Sequence, residues 1–76
     1  MFSVGNVQNG SKGNDVKLLQ RLLKSNGFRG ADGKLLTIDG DCGVNTVYAI
    51  KAYQQKKGLS ADGIAGPMTW KSILLR

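Results

Sequence analysis

The sequence has no histidine, no glutamate and one cysteine, Cys42. Without histidine it cannot assemble a Ser-His-Asp or Cys-His catalytic set. With one cysteine it has neither the usual Cys and His zinc ligands nor an intrachain disulfide. Most hydrolytic chemistry is thereby excluded, and a small domain without such staples depends on packing alone. No apolar run approaches the roughly 20 residues of a membrane span. Met1-Phe2-Ser3-Val4 also lacks the basic start and long apolar centre of a secretory signal, so export information is expected to lie outside this chain. Acids are scarce: five, all aspartate, against 11 Lys plus Arg, which gives a net charge of +6 and a pI near 9.8. Such a surface favours an anionic partner.

What remains is enough for one compact domain. At 76 residues and 41% hydrophobic composition the chain is too apolar to stay disordered. At this size it buries only about 60% of the surface its unfolded form exposes, which leaves no room for a large two-lobed cleft.

The most informative pattern is a repeat. Asp-Gly-x-x-Gly-x-x-Thr occurs at Asp39-Gly40-Asp41-Cys42-Gly43-Val44-Asn45-Thr46 and again at Asp62-Gly63-Ile64-Ala65-Gly66-Pro67-Met68-Thr69, 23 positions later, and each copy leads into an apolar helical pattern. One turn-plus-helix-start device is therefore used twice.

Residues 1–12 hold glycines and asparagines without a helical period and read as an extended lead-in, with Phe2, Val4 and Val7 available to pack on the body. The remainder, 13–76, reads as the folded domain. A first helix is predicted from about Asp15 to Ser25, capped by Asn14 or Asp15. Its apolar face is Val16, Leu19, Leu22 and Leu23, and Gly27 is its left-handed stop. The stretch from Phe28 to Asp41, broken by glycines, reads as a loop holding a short extended pair. A second helix is expected after Gly43, with Asn45 as cap, a stripe of Thr46, Ala49, Ile50 and Tyr53, and an end at Gly58 over which Leu59 folds back. A short third helix starts with Pro67 in its first turn and turns Trp70, Ile73 and Leu74 inward. The fold class is all-α, a compact three-helix bundle with glycine-rich connecting loops around Leu19, Leu23, Ile50, Tyr53, Trp70, Ile73 and Leu74.

Several chemical motifs fail on inspection. Asp39-x-Asp41 suggests a calcium loop, but Gly43 and Val44 occupy positions that need an oxygen ligand and a glycine, and no glutamate closes it. Gly33-Lys34 resembles part of a phosphate loop, yet Phe28 and Leu35 stand at its required glycine and hydroxyl positions. Asp39 and Asp62 are read first as turn builders, bonding local amides, and second as groups offered to a ligand. As a glycosidase pair they would need one raised pKa, for which solvated turn aspartates give no cause. Cys42 reads as a small semi-buried hydrophobe. Trp70 is expected in the core with an edge that could floor a groove, and Tyr48 as an exposed aromatic platform. Gln20 and Gln54 are balanced between surface solvation and contact with amide-bearing ligands.

Taken in order, Gly13-Asn14-Asp15-Val16-Lys17-Leu18-Leu19-Gln20-Arg21-Leu22-Leu23, Gly27, Asp39-Gly40-x-x-Gly43-x-x-Thr46, Ala49-Ile50-x-x-Tyr53-Gln54 and Gly58-Leu59-x-x-Asp62-Gly63-Ile64-x-Gly66-x-x-Thr69-Trp70 resemble the peptidoglycan-binding domain family, the three-helix modules attached to bacterial and phage cell-wall hydrolases. The resemblance implies a non-catalytic anchor that needs no cofactor. It holds an amidase or lysozyme-like enzyme on its substrate in the extracellular cell wall. The implied partners are peptidoglycan, through glycan strand or stem peptide, and a tethered catalytic domain; no nucleic acid or membrane is implied, and the module is expected to be a monomer. The expected groove draws on Gln20, Asp39, Gly40, Asp62, Gly63, Ile64, Tyr48 and Trp70. The loop from Phe28 to Ile38 is longer than in the shortest members, which reshapes the groove's rim. Two other classes compete. A helix-turn-helix nucleic-acid binder would need a tight turn between two helices, which neither loop provides, and a protein-interaction domain could use the same fold.

Overall fold

The computed structural model describes residues 5–75. It contains three helices, α1 (Asn14–Ser25), α2 (Val44–Lys56) and α3 (Pro67–Leu74), and no strand longer than an isolated bridge among the described residues. The three-helix architecture expected from the periodicity is present. No described helix is long and apolar enough to cross a membrane.

The helix ends follow local rules, with two corrections. Neither Asn14 nor Asp15 caps α1: Gly13 holds the cap position without any side-chain bond. The Asp15 carboxylate instead accepts the Gly5 N–H at 2.8 Å, fastening the lead-in to the first turn. Asn45 likewise lies inside the first turn of α2, after a Gly43 cap, and its amide reaches Asp32 Oδ2 at 3.5 Å. The C-terminal ends are as expected. Gly27 and Gly58 adopt positive φ, and the N–H groups of Phe28 and Leu59 return to Leu23 O and Gln54 O at 3.0 and 2.8 Å. Each is a Schellman ending, with the following apolar residue folded over the helix it terminates.

The core joins Val16, Leu19 and Leu23 of α1 to Ala49, Ile50 and Tyr53 of α2 and to Trp70 and Ile73 of α3, with Val7, Leu36, Cys42 and Ala65 contributed by connecting segments. Leu74, expected inside, is 39% exposed, because α3 ends there and its inward face is already filled by Trp70 and Ile73. Tyr53 is fully buried, so its hydroxyl needs a partner, and Ser72 Oγ lies at 2.7 Å. Phe28 packs edge-on against the Tyr53 ring, with centroids 5.4 Å apart.

The loop between α1 and α2 contains the short extended pair, Arg29 bridged to Leu35. It approaches α2 so closely that a Cβ at Gly30 would lie 2.7 Å from Asn45 Cβ. The lead-in is stitched to both repeats. Val7 exchanges N–H and carbonyl bonds with Ala65 at 3.1 and 2.8 Å, Gly10 and Ser11 bracket Cys42, and the Trp70 indole donates to Gly5 O at 3.0 Å. Val7 is buried as expected; Phe2 and Val4 lie outside the described residues.

Candidate functional site

Each Asp-Gly turn is closed by a buried glutamine from the preceding helix. Gln20 Oε1 accepts the N–H groups of Asp39 and Gly40 at 3.1 and 3.0 Å, which fixes its Nε2 as the donor end; that nitrogen lies within 3.0 to 3.1 Å of Asp39 Oδ1, Asp41 O and Thr46 Oγ1. Gln54 repeats the arrangement. Its Oε1 accepts from Gly63 N at 3.0 Å, and its Nε2 faces Asp62 Oδ1, Ile64 O and Thr69 Oγ1 at 3.1, 3.0 and 3.0 Å. Each amide nitrogen has two hydrogens for three oxygens, so one bond is shared. Both glutamines are 1% exposed. They are neither solvated surface groups nor free hydrogen-bonding arms, the two roles weighed for them in the sequence. They are the posts on which the turns hang.

The aspartates complete the device. Asp39 Oδ1 accepts the Asp41 N–H at 3.0 Å, and Asp62 Oδ1 accepts the Ile64 N–H at 2.9 Å, the Asx geometry of a tight turn. The Asp41 and Ile64 amides are the main reason that both carboxyls lie below their ordinary value of 3.8; at Asp39 the Gln20 donor comes next, whereas at Asp62 desolvation opposes the shift by more than the Gln54 donor adds to it. Both are therefore ionised at neutral pH and neither can serve as a general acid there, which removes the glycosidase reading. Gly40 and Gly63 sit at φ +78° in the turns, beneath the aliphatic stems of Lys17 and Lys51. Lys17 and Lys51 each precede their glutamine by three residues, one helical turn, so Lys-x-x-Gln belongs to the repeated unit as well. That element was missed in the sequence because the helices are offset by 34 residues and the turns by 23; the extra residues lie in the longer first loop.

Two surface clefts result, and they correspond position by position. The first, 340 Å³, runs along Leu36, Thr37, Asp39, Asp41 and the start of α2 from Gly43 to Thr46 over Gln20. The second, 450 Å³, runs along Leu59, Ser60, Asp62, Ile64 and the start of α3 from Gly66 to Thr69 over Gln54. The long loop adds Asp32, Lys34 and Leu35 to the first. Of the sequence-nominated residues, Gln20 and Asp39 line the first cleft and Asp62 and Ile64 the second, while Gly40 and Gly63 form the turns behind them. Trp70 is 3% exposed and lines neither, and its indole N–H is taken by the lead-in. Tyr48 is 53% exposed but stands on α2 away from both. Cys42 is buried, and burial pushes its thiol above the ordinary 9.0.

Comparison with known proteins places this geometry. The profile of the family described as "Putative peptidoglycan binding domain" matches residues 12–73. The chain belongs to the peptidoglycan-binding domain family. The family match covers α1, α2, all of α3 but its last residue, and both glutamine-held turns. Among relatives, the spore cortex-lytic enzyme of Bacillus cereus is 43% identical over 75 residues, covering 99% of this chain and 27% of that protein. The zinc D-Ala-D-Ala carboxypeptidase of Streptomyces albus G is 42% identical over 69 residues, covering 91% of this chain and 26% of that protein. The chain thus spans about a quarter of the length of these relatives. Among solved structures, the SleB N-terminal domain superposes with a TM-score of 0.85 at 37% identity, covering 99% of this chain and 96% of that one. The fold of that domain is therefore shared over the whole described body, lead-in included.

Proposed function

We propose that this chain is a non-catalytic peptidoglycan-binding module that anchors an attached cell-wall hydrolase to its substrate, outside the cytoplasm at the bacterial wall. One observation carries the reading: the family match fills the folded body, and that body equals only about a quarter of the hydrolytic relatives, so the shared part is the binding portion. Tethering raises the local concentration of a catalytic domain at an insoluble polymer without new chemistry. The two clefts offer shallow, partly polar surfaces for amide and hydroxyl groups. The net charge of +6, with one ion pair among the described residues (Lys12 to Asp41, 3.0 Å), supplies attraction to an anionic wall.

The test is sedimentation with purified, teichoic-acid-free sacculi beside a DNA-cellulose control. The expected result is retention on sacculi that survives moderate salt, with no soluble sugar or peptide released over time. Retention on DNA alone, falling steeply with salt, would overturn the proposal.

A further inference from the structure

Resting on that reading, we infer that the second cleft, and not its twin, is the recognition site, and that its ligand is the alanine-rich, carboxylate-ended stem peptide and not the glycan strand. The matched positions carry the argument. Where the first cleft presents Asp41, Val44 and Asn45, the second presents Ile64, Pro67 and Met68. The loop adds the charges of Asp32 and Lys34 to the first cleft; the second has Asp62 as its only charged lining residue, with one oxygen already committed to the turn. A ligand entering the first cleft must strip water from Asp32, Asp41 and an ammonium as well as from Asp39, whereas in the second Asp62 is the one charge and most of the water displaced lies over carbon, the favourable direction.

The second cleft also does not end where its twin does. It adjoins a further apolar hollow of 360 Å³ and shares Leu59 and Met68 with it as a common wall. Met68 is 69% exposed, an unbranched apolar side chain left in water between two hollows, where it can adapt to small alkyl groups on either side. The rest of that hollow's lining is Lys71, Ser72 and Leu75. Lys71 occupies the position that corresponds to Tyr48, so the first half has no cation there. This surface therefore joins a mostly apolar floor to an ammonium that lines the adjoining hollow. A chain of alanyl residues ending in a carboxylate presents the complement, methyl groups followed by an anion. A glycan strand carries hydroxyls and N-acetyl groups along its length, and its lactyl carboxyls are consumed in the amide bonds to the stems.

Amide chemical shifts of the intact chain, titrated with N-acetyl-L-Lys-D-Ala-D-Ala, its C-terminal amide and a chitin tetrasaccharide, test the inference. The free-acid tripeptide is expected to shift resonances between Leu59 and Leu75 and to leave Leu36 to Thr46 in place. The amide should bind about threefold to fivefold more weakly at low salt, the range of an exposed charge contact. Lys71→Gln should abolish that acid-over-amide preference, and Met68→Asn, which copies the first cleft, should weaken both peptides; both positions are exposed, so neither variant threatens folding. Shifts produced by the tetrasaccharide instead, shifts centred on the first cleft, or equal binding of acid and amide would each overturn the inference. Failure of the wild-type chain to sediment with sacculi defeats the proposed function itself. Retention on sacculi without the peptide response defeats only the inference.

Discussion

The two halves of this molecule solve one structural problem in the same way and then present different surfaces. Around Gln20 and around Gln54 the backbone is held by the same kinds of bond: glutamine to turn amide, two at Gln20 and one at Gln54, glutamine to aspartate, and glutamine to a threonine in the next helix's first turn. Outside that frame the linings diverge: one cleft is charged and edged by a long loop, the other mostly apolar. The recurring residues build the turn, and the cleft positions that differ, Asp41/Ile64, Val44/Pro67 and Asn45/Met68, face the solvent. Residues common to both copies are therefore the ones to read as structural, and residues that differ are the ones to read as functional.

The largest effect that would break this equivalence comes from the glutamines. Gln20→Leu and Gln54→Leu should each lose about 2–4 kcal/mol in urea unfolding, because buried turn amides and a buried threonine are left without partners. Gln20 should be the costlier, since it holds two turn amides where Gln54 holds one. Equal and negligible losses would show that the posts carry no weight. The turn glycines come next. Gly40→Ala and Gly63→Ala must place a side chain at φ +78°, which costs about 1–2 kcal/mol. The two losses should be of similar size, because besides a lysine stem the new Cβ meets the Gly13 carbonyl at 3.3 Å from Gly40 and Val47 Cγ1 at 3.1 Å from Gly63.

The smallest effect is the acid limb. Asp39 and Asp62 have folded pKa values below 3.8, so each contributes stability that is present above the unfolded value and lost as pH falls through the folded one. Thermal melting should decline below about pH 4, and a double Asp39→Asn, Asp62→Asn variant should show a flatter decline there. If only one of the two single variants flattens the curve, the halves differ electrostatically as well as at their surfaces.

Much of the fold was legible in the residues. The Schellman endings at Gly27-Phe28 and Gly58-Leu59, Pro67 in the first turn of α3 and the buried stripe of α2 follow from local chemistry that tertiary packing does not override. The caps were misread because Asn and Asp compete for more than one partner. Asp15 serves the lead-in and Asn45 leans toward Asp32, and neither partner is local in sequence. The candidate site was half legible. The aspartates and glycines were visible as a repeat, but Gln20 reaches its turn 19 residues away, and Gln54 reaches its own after eight, so no single period reveals them as equivalent. Trp70 and Tyr48 were nominated on aromatic character alone, and burial and position separate them from the clefts.

The segment ahead of α1 sets where this domain can be cut. Gly5 receives the Trp70 indole and donates to Asp15, and Val7 fills the core while pairing with Ala65, so residues at opposite ends of the chain close on one another like the two sides of a buckle. A fusion protein trimmed to residue 12, where the family match begins, would open that buckle at α3, the very helix that borders the carbon-lined cleft. Portability of this module between enzymes therefore depends on carrying the segment from Gly5 onward along with the helices.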